Sequence, residues 1–211
     1  MDITIHTNFN LPHQVIHAEC FRQGFLNHGL EAEITSSIYV NSDIHIVMGP
    51  HYAKENWRDH NRVILLDRNY YHSSNDFISI GWMNKGGGRD FVEGTGRKPP
   101  EIKKTTGNKS IFLSDYNGII ESADIIRFHP ENSKSKNSLS DDLKLCNRAT
   151  GYNTTALVKA ALEGLEINCK GKTSILKNKN WLNLLPYADW HYNEIISGEV
   201  WEHLQLSMNQ A

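Results

Sequence analysis

The sequence predicts an α/β protein built from two small Rossmann-like domains, and three observations carry that expectation. Short apolar runs alternate with helix-length segments in the order strand, helix, strand on both sides of residues 85–107. That central stretch is rich in Gly, Pro and Lys (Lys85-Gly86-Gly87-Gly88-Arg89, Pro99-Pro100, Thr105-Thr106-Gly107), the composition of a linker or a long binding loop. The run RVILLD at 62–67 is continuously apolar, as a parallel strand covered on both faces requires. The expected division is an N-terminal domain over 1–105, a second domain over 106–185, and closing helices over 186–211.

At 211 residues, with 39% apolar side chains and 5 Trp, 8 Tyr and 7 Phe, the chain has material for two small cores. No run approaches the ~18 apolar residues of a membrane span, and no charged-then-apolar leader opens the sequence. Cys20, Cys146 and Cys169 are odd in number and contain no CxxC pair, which fits buried thiols in a reducing cytoplasm. The net charge of −2 conceals a pattern: residues 1–84 carry 5 basic and 9 acidic groups, residues 85–180 carry 17 and 11, and residues 181–211 carry none and 4. A centre of +6 between acidic ends suits a nucleotide sugar or a nucleic-acid groove.

Taken in order, Ile3 and Ile5 alternate with Thr4 and His6, the pattern of an edge-paired or half-buried strand. A helix is expected over 13–26, with Ile16/Cys20 and Phe21/Phe25 on shared faces and Gly29 beyond its end. Strands follow at 31–35 and 43–48, then Gly49-Pro50-His51 and a short helix through Trp57 and His60. RVILLD comes next, and 78–83 is one more strand. GxGxxG is missing, so no NAD or FAD fingerprint exists. Open α/β sheets bind ligands beyond the carboxyl ends of their strands, which singles out His13, His51 and Asp67; Arg68, with Lys85 and Arg89 of the long basic loop, are the expected acceptor-binding cations.

In the second half, 110–114 is a buried strand, 131–142 a polar Lys/Ser-rich loop, and DIIRFHP at 124–130 an apolar strand ending in His129-Pro130. CNRATGYNTTALVKAALEGLEINC at 146–169 reads as strand end, polar turn, helix, Gly stop and strand. Asn153 is the expected N-cap, Thr154 and Thr155 add hydroxyls, Ala156 to Leu162 form the helix, and Gly164 ends it. With Tyr152 in the turn, this helix start is a ready anion site. Helices are expected over 181–188, 189–197 and 199–206, and no internal repeat is evident.

RFHP followed by ATGYNTTALVKAALEG resembles the donor half of GT-B glycosyltransferases, closest to the capsule, Kdo and sialyl-type enzymes. WLNLLPYADWHYNEIISGEVWEHL at 181–204 is similar to the closing helices of small phage-encoded transferases. The resemblance covers roughly the second half of the chain. It implies two domains facing a cleft, with Arg127, His129, Pro130, Tyr152, Asn153, Thr154 and Thr155 holding the donor and Lys134 or Lys136 neutralising phosphate. Many such enzymes hold the ribose with a Glu in the donor helix; the nearest register here carries Lys159.

HExxH, paired HxH, GxSxG and DxD are all missing, and Asp141-Asp142 falls in the Ser/Lys loop. A GT-B arrangement needs no metal: the helix dipole, hydroxyls and cations stabilise the leaving phosphate. The base comes from the first domain, with Asp67 favoured over His51 and His13 because partial burial at a strand end raises a carboxyl pKa toward a useful range. The expected activity is therefore a metal-independent cytoplasmic glycosyltransferase with no cofactor beyond its nucleotide sugar, UDP- or CMP-linked. Its acceptor is expected to be a hydroxymethylated pyrimidine in phage duplex DNA. The alternatives are a cell-envelope or capsule glycan acceptor and a noncatalytic nucleotide-binding module.

Overall fold

In the computed structural model, which describes residues 1–37, 40–48, 62–72, 74–85, 87–114, 118–129, 136–152, 154–172 and 174–208, the chain divides into two units. Residues 1–97 and 186–211 form the first, and residues 98–185 the second. Both are mixed α/β with predominantly parallel strands, compatible with a Rossmann-like fold.

The first unit begins with β1 (Ile3–His6), α1 (Pro12–Asn27), β2 (Ala32–Thr35), β3 (Ile44–Met48) and β4 (Val63–Arg68). These strands are parallel in the spatial order β2-β1-β3-β4. Then β5 (Phe77–Met83) pairs antiparallel with β4, and β6 (Arg89–Asp90) with β5. Pro12 opens α1, where its missing N–H costs nothing. The helix lays Ala18, Phe21 and Phe25 on the sheet face carrying Ile5, Ile46, Ile64 and Leu66. Fully burying a side chain such as Phe25 contributes about 1.5–3 kcal/mol. The alternation in β1 suggested an edge-paired or half-buried strand; the structure makes it central and wholly buried. Its polar side chains are satisfied inside: Thr4 and Ser42 hydroxyls share a hydrogen bond of 2.5 Å, and His6 Nδ1 donates to the Ser37 carbonyl at 2.8 Å.

The second unit holds β7 (Lys109–Leu113), β8 (Ile125–Arg127), α2 (Leu139–Lys144), β9 (Cys146–Gly151), α3 (Thr155–Leu162), β10 (Glu166–Cys169) and α4 (Trp181–Leu184). Its four strands are all parallel, in the order β8-β7-β9-β10. The two units thus share one arrangement: the first of four parallel strands lies between the second and the third. No sequence repeat announces it. Part of the expected polar loop, with Asp141 and Asp142, is the helix α2, whose Ser138 cap accepts from the Asp141 N–H at 3.1 Å. α2 and α3 cover the face bearing Ile111, Leu113 and Ala149. Gly164 ends α3 at φ +84°, as expected, and a Cβ there would stand 2.0 Å from the Lys103 carbonyl oxygen.

Residues 186–211 were expected to be closing helices; instead they complete the first unit. β11 (Asp189–His191), expected to be helical, pairs antiparallel with β5, giving seven strands among the described residues. Trp190 is buried opposite Ile78, a demand of the sheet that overrides local helix propensity. α5 (Tyr192–Ser197) starts in a capping box formed by His191 and Glu194, and α6 (Glu199–Met208) follows. Trp201 and Leu204 join the core of α1. Among the described residues no helix is long and apolar enough to cross a membrane.

Candidate functional site

In the second unit, β7 and β9 are adjacent while their following strands lie on opposite sides, so the strand order reverses between them. The carboxyl ends at such a reversal form the crevice where open α/β sheets bind ligands. There β9 ends at Gly151, where a Cβ would meet the Leu113 carbonyl oxygen at 2.7 Å. The chain turns through Tyr152 into α3. The cap is Thr154 rather than Asn153, because Thr154 Oγ1 accepts from the Ala156 N–H at 3.2 Å. Thr155 occupies the first helical position, and its hydroxyl makes no hydrogen bond to the described residues. Two hydroxyl-bearing residues thus stand at the start of α3, where helix N–H groups and the positive end of a helix dipole favour an anion.

Arg127 does not join them as a free cation. It ends β8 and is tied to α2: its Nη1 donates to Asp142 Oδ2 at 2.5 Å and to the Asn137 carbonyl at 3.0 Å. Asp142 is buried and also accepts from Asn137 Nδ2 at 3.1 Å, so Arg127 compensates an interior charge. His129 is half-buried beyond β8, and Lys136 is exposed. Lys159 lies on α3, half-buried. Pro130, Lys134 and Asn153 fall outside the described residues, as does His51 in the first unit.

In the first unit, the strand registers set Asp67, Ser79 and Asp189 side by side on β4, β5 and β11, on the sheet face away from α1. Asp67 lies 3.4 Å from the Arg89 guanidinium and accepts from the Arg68 N–H at 2.7 Å. Its side chain is 41% exposed, so the desolvation expected of it is modest and its neighbour is a cation. Arg89 is buried, donates to the Tyr70 hydroxyl at 3.1 Å and to the Ser79 carbonyl at 3.3 Å, and stacks on Tyr70 and Phe91. It is thereby held beside Asp67. Burial pushes the Tyr70 hydroxyl pKa up, with Arg89 opposing. Asp189 Oδ2 accepts from the Tyr70 and Tyr71 N–H groups at 2.7 and 3.2 Å, and Ser79 Oγ is buried with no partner among the described residues.

Arg68 and Lys85 are exposed. His13 is exposed too, in the first turn of α1 and not at a strand end; its ring lies 6.1 Å from that of His17. The same polar face holds a pair the sequence reading missed. His6 Nε2 and His45 Nδ1 are 3.1 Å apart, and both rings are buried. Because His6 Nδ1 must donate to a carbonyl, the neutral His6 ring accepts at Nε2 and His45 donates. Burial lowers the His6 pKa, which favours that neutral form. The available signal was a His at matching positions within two apolar strands. Among the described residues no group of three or more His, Cys, Asp or Glu side chains is placed to hold a metal ion.

Comparison with protein-family models, with curated proteins and with solved structures returns no significant match to the chain.

Proposed function

We propose that this chain is a metal-independent glycosyltransferase that moves a sugar from a nucleotide-sugar donor to a hydroxyl acceptor. The observation that carries the reading is the turn from β9 into α3. Gly151 leaves no space for a side chain, and Thr154, Thr155 and the N-terminus of α3 follow at the reversal of strand order. The donor phosphate sits there, where hydroxyls and helix amides stabilise the charge that develops as the sugar–phosphate bond breaks. Asp67 is the general base. Its carboxylate takes the proton of the acceptor hydroxyl, the oxygen bonds to the anomeric carbon, and the nucleotide leaves with the bonding electron pair. Arg89 fixes the carboxylate orientation.

The acceptor favoured is a hydroxymethylated pyrimidine in duplex DNA, with a cell-envelope or capsule glycan second; duplex binding that weakens steeply with salt supports the first. The noncatalytic nucleotide-binding reading draws support from the engagement of Asp67 by Arg89. Its signature is donor binding by the native chain with neither donor hydrolysis nor transfer. The test of the base compares Asp67→Asn with the native chain across UDP- and CMP-sugar donors. Turnover is expected to fall about 10²–10⁴-fold with donor affinity retained. Near-native transfer by Asp67→Asn removes the assignment.

A further inference from the structure

The second unit holds a cavity of about 500 Å³ along the outer edge of β10, lined by Ile102, Leu165, Leu176, Lys177 and Trp181 among others. Ligand sites for small molecules span roughly 300–1,000 Å³, mostly apolar with a few placed polar groups. The polar groups here are of two kinds. The first is main-chain. The Lys170 N–H donates to the Gly151 carbonyl at 2.8 Å, and Cys169 is in register with Gly151. Parallel pairing alternates along a strand, so residues 166, 168 and 170 bond to β9 while the N–H and C=O groups of Ile167 and Cys169 point outward. Those outward groups have no main-chain partner among the described residues, and β10 is the last strand of its sheet.

The second kind is side-chain. Neither the Trp181 indole N–H nor the Lys177 ammonium has a hydrogen-bond or ion-pair partner among the described residues. The stretch 171–180 carries Lys172, Lys177 and Lys179 and no acidic residue, while Lys170 before it is paired with Glu121 at 2.6 Å. The wall itself is fixed. The Lys103 N–H donates to the Leu162 carbonyl at 2.8 Å, which holds the segment of Ile102 against α3.

We propose that this cavity binds a planar heteroaromatic ligand carrying an anionic group, of mononucleotide size, at a site separate from the turn before α3. The ring presents a donor and an acceptor to the edge of β10 and lies against Trp181, and the anion meets Lys177. An added peptide strand fits less well, because β10 turns outward only two residues and the Leu165 N–H is already bonded to Ala160. The inference does not depend on glycosyl transfer.

The test titrates the full chain with AMP, GMP, CMP and UMP, reading heat and tryptophan fluorescence. At least one nucleotide is expected to bind below about 1 mM and to quench a component of emission that is missing in Trp181→Phe, a substitution that keeps a ring in place. Trp181→Ala is expected to weaken that binding roughly tenfold or more, the scale of a lost base–aromatic stack. Lys177→Glu, at an exposed rim position, should weaken it several-fold and flatten its salt dependence. Ribose 5-phosphate, which has no ring, should not quench. The proposal is overturned if no nucleotide binds, if the full quench persists in Trp181→Phe, or if Lys177→Glu leaves the affinity unchanged.

Discussion

Replacing Thr154 and Thr155 by Val, singly and together, separates what each hydroxyl does for the fold from what it does for the donor. Thr154 Oγ1 accepts from the Ala156 N–H, so Thr154→Val leaves that amide without its cap. α3 is only eight residues long and buries Leu157, Val158, Ala160 and Ala161, so its first turn cannot fray without disturbing the core of the second unit. Loss of such a cap costs about 1 kcal/mol. With a urea slope of about 1–3 kcal/mol/M, the midpoint of that unit falls by roughly 0.3–1 M. Thr155 caps nothing, and Thr155→Val exchanges one β-branched residue for another, so stability should stay within about 0.5 kcal/mol. In the proposed donor site the two hydroxyls would act alike. Each hydrogen bond to a charged phosphate is worth about 1.5–3 kcal/mol, so the double variant should bind some 3–6 kcal/mol more weakly. Urea unfolding followed by far-UV circular dichroism gives the first quantity and calorimetry with the nucleotide sugar the second. The reasoning fails if Thr155→Val destabilises as much as Thr154→Val. It fails equally if the double variant keeps native donor affinity.

Gly164→Ala should cost more than Gly29→Ala in urea unfolding, because both glycines have positive φ but only Gly164 would drive its Cβ to 2.0 Å from a carbonyl oxygen. The left-handed conformation accounts for about 1–2 kcal/mol at either position, and equal losses would refute the clash. Arg127→Ala strands the buried Asp142 carboxylate and should destabilise the second unit by about 3–5 kcal/mol, whereas the double change Arg127→Met with Asp142→Leu recovers most of the loss. Weaker donor binding with unaltered stability in Arg127→Ala would return Arg127 to the donor site. His17 is held at a pKa of about 4, chiefly by burial and secondarily by His13. Between pH 6.5 and 4 the unfolded chain therefore binds more protons than the folded one, and stability falls as pH drops through that window. Denaturant midpoints of His17→Gln should show a shallower fall over that range than the native chain, and parallel curves would exclude the contribution.

What could be read from the sequence was local. The helix expected over 13–26 is α1 at Pro12–Asn27, RVILLD is β4, and Gly164 stops α3, because apolar spacing and a left-handed stop are written in neighbouring residues. Thr154 and Thr155 stand at the start of the expected helix for the same reason. The misreadings involve partners far apart in the chain. Asp189–His191 is a strand only because β5 lies beside it, more than a hundred residues earlier. The ion pair of Arg127 with Asp142 was not legible either, because residues 131–142 were expected to form a loop and Asp142 lies on α2. His6 and His45 sit 39 residues apart, and nothing local says that their strands are neighbours.

Arg97 marks where the chain leaves the first unit, and Pro186 where it returns. The Arg97 guanidinium lies 3.9 Å from the centre of the Trp190 ring, donates to the Pro186 and Asp189 carbonyls at 2.5 and 3.1 Å, and pairs with Glu194. Departure and return are thus clasped together, and this orders events on the ribosome. Residues 98–185 emerge as one uninterrupted stretch and have all their strands before synthesis ends. The earlier residues 1–97 must wait for β11, Trp190 and Trp201, so the unit translated first is completed last. Until then the open edge of β5 and the unfilled side of α1 are surfaces a nascent chain must keep from its neighbours.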